Sequence, residues 1–236
     1  MIPEIILSAS IGYGVESIFG FGGSVVTYLL LTLFLPVKES ISLLPIFAVA
    51  GSLFILISDW RAVKWGVIRR VCLYALPALA AGVLVMNSVP ETALAVGVLL
   101  FILIYGIMQS FGRNPIFPGW IHIPMYLVSG FVIGAVSLGV VFVPVLADEL
   151  GDRRSFRASL ALLWFITACL RLPLYMLTGH LDASGLLSGI WSFPFLLLAI
   201  FIGFKVHRMI PESSYRRLVG IAIALVSLVK LILLAM

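Results

Sequence analysis

Residues 12–24 read Gly-Tyr-Gly-Val-Glu-Ser-Ile-Phe-Gly-Phe-Gly-Gly-Ser and lie inside an apolar segment that runs from residue 4 to residue 35. As one helix, this segment would be about 48 Å long. That is too long for one crossing of a ~30 Å hydrocarbon core and too short for two. Glycine has a low helix propensity. The sequence therefore predicts a hairpin or a broken helix, interrupted near residues 20–23.

A second apolar segment, at 122–147, has the same character. Gly130, Gly134 and Gly139 precede Pro144 in it, so we predict a second hairpin or broken helix. Backbone groups freed by such breaks are tolerated at membrane depth only where they face protein or a polar cavity.

The composition of the whole chain is typical of an integral membrane protein. Of its 236 residues, 62% are hydrophobic and 11% are charged, against roughly 45–50% and 25% in soluble domains. Glu4 and Glu16 lie in the first segment, which has no basic start, so we expect this segment to stay in the mature protein. Six further segments have the length of one crossing each: 40–58, 67–87, 91–111, 156–178, 185–206 and 213–236.

The two halves of the chain share a pattern of spacing. The run Val89-Pro90-Glu91-Thr92 aligns with Ile210-Pro211-Glu212-Ser213, and Gly82 with Gly203; in the same way Gly22 aligns with Gly139 and Ser42 with Ser159. The pattern predicts a duplication. Its parts would be membrane repeat 1 at residues 1–111, a connecting loop at 112–121, and membrane repeat 2 at 122–236.

The distribution of positive charge predicts how the repeats are oriented. Loop 59–70 carries four basic residues and its counterpart 178–184 carries none, whereas loop 87–90 carries none and its counterpart 205–217 carries four. If positive residues stay inside, equivalent loops lie on opposite sides of the membrane. We therefore predict an all-α integral membrane protein with two inverted repeats of four hydrophobic segments each, the first of each broken or re-entrant. The alternative is a bundle whose glycines serve only helix packing.

Inverted repeats with paired broken segments are typical of secondary transporters that bind substrate near the bilayer midplane. A helix that restarts after a glycine break presents unpaired N–H groups and a positive dipole end to an anion. The two candidate restarts are Gly22-Gly23-Ser24 and Ser137-Leu138-Gly139.

Two charged residues, Glu16 and Arg171, lie well inside apolar segments, where charges are costly and usually functional. The fork of Arg171 suits carboxylate or sulfur oxyanion groups; alternatively, it is a structural partner of Glu16 or of backbone carbonyls. Glu16 is a candidate for proton coupling; alternatively, it pairs with Arg171 or lies at a cavity mouth. Hydroxyls that could line the path, unless they only bond their own helices, belong to Ser42, Ser159, Thr167 and Tyr175.

Other chemistry finds little support in the sequence. The basic residues lie in short loops rather than on one face, which argues against nucleic acid binding. His122, His180 and His207 lie at segment ends without a metal-binding or protease pattern, and there is no Walker motif. We expect Cys72 and Cys169 to be free core thiols. We expect no enzyme activity, no catalytic residues, no metal and no cofactor.

These features together resemble the TauE/SafE sulfite exporter family, also called the toluene sulfonate uptake permease family. The resemblance is carried by Gly20-Phe21-Gly22-Gly23, by Ser159 after Arg157, and by Arg171-Leu172-Pro173-Leu174-Tyr175 with Gly179, which is similar to the family's basic-x-Pro-x-Tyr-x-x-x-Gly signature. It implies a secondary transporter of sulfite, thiosulfate or organosulfonates, usually in a bacterial inner membrane.

The chain also departs from the family pattern. It has Ser24-Val25-Val26-Thr27 where the family usually has further glycines and a proline, Val140-Val141 in place of glycines, and Ala168 in place of a polar residue. These changes predict a less polar cavity, which would favour an anion with an organic part.

We therefore expect a multi-pass carrier of the bacterial inner membrane that works by alternating access. Its partners would be the lipid bilayer, a small sulfur-containing anion and a second copy of the chain in a homo-oligomer. An anion channel is the first alternative, and an intramembrane enzyme or structural membrane subunit is the second. The expected binding residues are Gly20, Phe21, Gly22, Gly23, Ser24, Ser42, Ser137, Leu138, Gly139, Ser159, Thr167, Arg171 and Tyr175, with Glu16 for proton coupling.

Overall fold

The computed structural model describes residues 2–19, 22–110, 118–139, 142–150, 152–207, 221, 224–225 and 227–232. Gly20, Phe21, Val140 and Val141 lie outside these ranges, as do the basic residues of loop 205–217 beyond Lys205 and most of the eighth predicted segment. The described residues form α-helices joined by short turns. Among the described residues, five helices are long and apolar enough to cross a membrane, or six if a bent pair is counted as one span.

We label ten α-helices within the described ranges. They are α1 (Ile2–Phe19), α2 (Gly23–Leu31), α3 (Val37–Asp59), α4 (Trp65–Ser88), α5 (Glu91–Ser110), α6 (His122–Val136), α7 (Phe142–Leu150), α8 (Arg153–Leu177), α9 (Ala183–Trp191) and α10 (Phe193–His207). Residues 227–232 are also helical.

The first predicted interruption is present, because α1 ends at Phe19 and α2 begins at Gly23. Gly22 has φ +88°, a left-handed conformation that glycine adopts without steric cost. The turn brings α2 back along α1, and the two helices pack side by side. The segment is thus two helices in contact, one of 18 residues and one of 9.

The second interruption is also present, but its parts differ from the prediction. Ser137 caps the C-terminus of α6 with φ 58°, and α7 begins only at Phe142. Ser137 therefore ends α6, whereas Gly139 lies in a helical turn that precedes the start of α7. A glycine count predicts that a helix breaks, but it does not specify which residue takes the left-handed conformation, and here a serine does.

The seventh predicted segment is not one straight helix. It divides into α9 and α10 at Ser192, with a bend of 41°. Pro194 is the second residue of α10, and a proline ring clashes with the carbonyl four residues earlier. The helix before it therefore ends, and a new one begins.

Helices α3 and α8 form an antiparallel pair at the centre of the fold. Where α3 ends and α8 begins, Arg154 Nε lies 2.7 Å from Asp59 Oδ1, and the Lys64 amide donates to Ser159 Oγ at 3.0 Å. We call this side of the molecule the basic end, since it carries Arg61, Lys64, Arg69, Arg70 and Arg154. The start of α3 and the end of α8 meet at the opposite side, around a polar cavity.

Two further helix pairs flank this centre: α1 packs on α10, and α6 packs on α4. Each pair approaches closely at a glycine. A Cβ at Gly203 would collide with Ser17 and Gly14 of α1, and a Cβ at Gly82 would collide with the backbone of Phe131 and Ala135 of α6. The outside of the bundle is apolar, with exposed side chains such as Leu73, Leu84, Ile104, Leu177 and Phe201.

Candidate functional site

Glu16 lies one helical turn before the end of α1 and is 7% exposed. Its carboxylate faces the backbone N–H groups of Gly23 and Ser24, the first two residues of α2, and a Cβ built on Gly23 would collide with Glu16 Oε2. The N-terminus of a helix carries a positive partial charge. The anion at the start of α2 is therefore supplied by the protein itself.

The C-terminus of α2 is bound by a cation. Lys230 Nζ donates to the Leu29 carbonyl at 2.6 Å and also to the Thr32 hydroxyl. Carboxylate at the N-terminus and ammonium at the C-terminus both complement the dipole of this short helix.

A small void beside Glu16 is lined by Tyr13, Ser17, Gly51, Ile55, Arg157 and Ile200. It lies where α1, α3, α8 and α10 meet. Arg157, near the start of α8, is within electrostatic range of the Glu16 carboxylate.

Tyr13 lies beside the candidate site, and the sequence did not single it out. It is buried, its ring meets that of Phe47 edge-on at 6.3 Å, and it lies within electrostatic range of both Glu16 and Arg171. A tyrosine between two glycines, one helical turn before a buried glutamate, is the sequence signal that could have identified it.

Arg171 is 2% exposed, and its partners are backbone carbonyls and the neighbouring Tyr175 hydroxyl. Nε donates to Thr167 O at 3.2 Å, and one terminal nitrogen lies 3.5 Å from Ile133 O of α6. Tyr175, one turn further along α8, donates to Gly134 O at 2.8 Å. Together these two side chains satisfy carbonyls at the C-terminus of α6, which carries negative partial charge.

Ser137 belongs to the same cluster, because its hydroxyl lies 3.0 Å from the Tyr175 hydroxyl. Leu138 is fully buried beside it, and Gly139 lies against the ring of Trp164. Thr167 also lies nearby, but its hydroxyl donates to Leu163 O of its own helix at 2.8 Å.

The predicted residues thus form two clusters and two outliers. The first cluster surrounds Glu16 with Gly22, Gly23 and Ser24; the second surrounds Arg171 with Thr167, Tyr175 and Ser137 to Gly139. Ser42 lies on the polar cavity and bonds Glu39 O at 2.8 Å, whereas Ser159 lies at the basic end. Gly20 and Phe21 lie outside the described residues. The predicted alternative pairing of Glu16 with Arg171 is not among the ion pairs of the described residues.

The polar cavity has a volume of about 500 Å³ and opens at the side opposite the basic end. Glu91 accepts from the Val37 amide at 2.6 Å, and Asp182 accepts from the Gly185 amide at 2.7 Å, so each carboxylate caps a helix. Burial and the neighbouring Lys38 ammonium lower the pKa of His180, which lies in the turn after α8. The other polar residues that line the cavity include Glu39, Ser42, Ser184 and Ser188.

Both cysteines are free, as predicted. Cys169 is exposed on the outside of α8 rather than buried in the core, because the apolar segment has a surface face that its composition does not reveal. Within the described ranges, no group of three or more His, Cys, Asp or Glu side chains could hold a metal ion.

Comparison with known families identifies one match that spans almost the whole chain. The family described as "Sulfite exporter TauE/SafE" matches residues 5–229. No curated protein and no solved structure matched the chain.

Proposed function

Since the chain belongs to the sulfite exporter TauE/SafE family, we propose that it is a secondary transporter in the bacterial inner membrane. Its substrate would be sulfite, an organosulfonate or a related small sulfur-containing anion. The observation that carries this proposal is the family match over residues 5–229. The apolar, multi-span helical bundle supports it. An inside-negative potential favours export of an anion by ~2.3 kcal/mol per charge per 100 mV, so we propose export as the direction.

We further propose that the two halves are inverted repeats, with the first segment of each re-entrant. The antiparallel α3 and α8 pair supports this, as does the packing of α1 on α10 and α6 on α4. Gly203 faces the carbonyl of Gly14, and Gly82 faces that of Phe131. Positions 14 and 131 are separated by 117 residues, the same offset that relates Gly22 to Gly139 and Ser42 to Ser159.

In this proposal the basic end faces the cytoplasm, following the positive-inside rule, and the polar cavity faces the other side. Repeat 1 would comprise residues 1–111 and repeat 2 residues 122–236, joined by a loop at 112–121. Alternating access would then move the two repeats relative to each other around a fixed site.

The substrate site would lie between the Glu16 and Arg171 clusters. Arg171 has a planar fork that suits the oxygens of a sulfonate or sulfite group. Its present partners are backbone carbonyls at 3.2 and 3.5 Å and the Tyr175 hydroxyl, which are neutral and therefore weaker acceptors than an anion. An arriving oxyanion would therefore compete well for this guanidinium. Backbone N–H groups at the start of α2 would bind the same anion from the other side.

Ligand-induced thermal stabilisation tests this assignment. Purified protein is heated with sulfite, thiosulfate, sulfoacetate or taurine, beside Arg171→Ala and the control Arg61→Ala, whose side chain is exposed at the basic end. A ligand at 100 times its dissociation constant adds about 2.7 kcal/mol of stability. We expect a sulfur oxyanion to stabilise the wild type and Arg61→Ala but not Arg171→Ala. No stabilisation by any of them in a folded wild-type sample would contradict the proposal.

An anion channel is the second candidate, since it would share the same lining. Channels conduct without coupling, so a buried titratable carboxylate near the path favours the carrier. Glu16 is 7% exposed, and we propose that it carries the coupling proton.

A further inference from the structure

The carboxylate of Glu16 already occupies the backbone N–H groups at which the proposed substrate would bind. Glu16 packs directly against Gly23, since a Cβ built there would collide with Glu16 Oε2, and its carboxylate faces the Gly23 and Ser24 amides at the start of α2. The side chain is 7% exposed. We propose that Glu16 and the transported anion compete for this helix terminus, so that the anion binds there only when Glu16 is protonated or displaced. This inference rests on the proposed function.

Two anions at this terminus would repel each other strongly. The end of a helix supplies only about half a positive charge, and burial removes the screening by water. In the part of the chain that the structure describes, the titratable or charged groups facing Glu16 are Tyr13 on its own helix and Arg157 on α8. The other elements around it contribute Gly51 and Ile55 from α3 and Ile200 from α10, which carry no charge.

The local geometry allows the carboxylate to leave. Glu16 belongs to α1 and not to α2, and the two helices are joined through the left-handed turn at Gly22. Its side chain has several rotatable bonds and borders the small void lined by Ser17 and Ile200. Binding at the α2 terminus and the charge of Glu16 are therefore linked.

Linkage makes a quantitative prediction. If one proton must bind to Glu16 before the anion does, the apparent dissociation constant rises with pH by up to about tenfold per unit. The sign follows from competition: raising the pH restores the carboxylate and therefore weakens anion binding. Over its pH-dependent range, each bound anion would take up as much as one proton.

Thiosulfate is the probe, because its own charge stays constant over the range of about pH 5.5 to 8.5 that the linkage test needs. Isothermal titration calorimetry is done on wild type, Glu16→Gln and the control Glu4→Gln, which changes another carboxylate of α1. We expect Glu16→Gln to bind about tenfold or more tightly than wild type at the top of the range, without pH dependence. Glu4→Gln should follow the wild type.

A second measurement uses the wild type alone, in case Glu16→Gln does not fold. Titrations in buffers of different ionisation enthalpy report the protons taken up per anion. Uptake approaching one proton supports the inference. The inference would be overturned if the wild type bound the anion independently of pH and without proton uptake. It would also be overturned if a folded Glu16→Gln protein kept the pH dependence of the wild type. Either result would leave the proposed function standing. A wild type that binds no sulfur oxyanion at any pH would instead contradict the proposed function itself.

Discussion

Arg171 and Tyr175 use two turns of α8 to hold the end of α6. The Tyr175 hydroxyl donates to Gly134 O at 2.8 Å and contacts Ser137 Oγ at 3.0 Å. Both contacts are fully buried, so water cannot replace them. The pair therefore fixes the position at which the second interrupted segment stops being helical.

Tyr175→Phe removes one oxygen atom and tests whether the Tyr175 hydroxyl holds the end of α6. Loss of the hydroxyl leaves the Gly134 carbonyl without this donor, and we expect the free energy of unfolding to fall by about 1–2 kcal/mol. Denaturant unfolding followed by circular dichroism measures it. Tyr74→Phe on α4, at a partly buried tyrosine, is the control and should change stability by less than about 0.5 kcal/mol. Equal effects of the two substitutions would contradict the account.

The sequence identifies candidate site residues where a side chain is chemically unusual for the segment around it. Glu16 and Arg171 stand out as charges in apolar segments, and both are buried. Their partners did not follow from the sequence, because the Gly23 amide and the Ile133 carbonyl are groups that every residue has. Only the path of the backbone brings them to these side chains. Ser42 and Ser159 occupy equivalent positions in the two halves of the sequence. Because α3 and α8 are antiparallel, these positions lie at opposite ends of the molecule.

At the scale of elements, the turn between α1 and α2 depends on one conformation. Gly22 has φ +88°, with no atom within 4 Å of a Cβ built there, so conformation and not space is what excludes other residues. For an L-residue the left-handed region costs roughly 1–2 kcal/mol.

Gly22→Ala should therefore lower the free energy of unfolding by about 1–2 kcal/mol. Gly97→Ala is the matched control, since Gly97 lies within α5 and also has open space around its Cα. Alanine there should instead stabilise the protein by roughly 0.5–1 kcal/mol, because it favours the helix. Opposite signs in the same unfolding assay would support the turn; a stabilising Gly22→Ala would rule it out.

Interruptions were predictable from glycine content, but their details were not. The division between α9 and α10 is caused by Pro194, because a proline ring clashes with the carbonyl four residues earlier in any helix. Pro45, Pro77 and Pro173 nevertheless lie inside continuous helices. Neighbouring helices decide which proline ends a helix and which is absorbed, and that information is absent from a local sequence.

At the scale of the whole molecule, basic residues from both halves gather at one end. Arg61, Arg70 and Arg154 come from different helices, and Arg154 pairs with Asp59 across the α3 and α8 interface. Ser184 lies at the other end, on the polar cavity. Loop charges predicted this segregation because the positive-inside rule depends on the charges of short loops and not on how the helices pack.

Single cysteines test the orientation. In a background with Cys72 and Cys169 replaced by alanine, we expect Ser184→Cys to react with a membrane-impermeant maleimide added to intact spheroplasts. Arg61→Cys should react only after the membrane is permeabilised, because the basic end faces the cytoplasm. Labelling of both residues from the same side would be incompatible with this topology.

Counterflow in proteoliposomes tests the transporter assignment most directly. Vesicles containing the purified protein are loaded with unlabelled thiosulfate and diluted into a trace of radiolabelled thiosulfate, with Arg171→Ala and protein-free vesicles as controls. We predict a transient, saturable accumulation of label in wild-type vesicles and its loss in Arg171→Ala. Uptake that never exceeds equilibrium would indicate a channel, and no uptake above the protein-free vesicles would contradict transport of this anion.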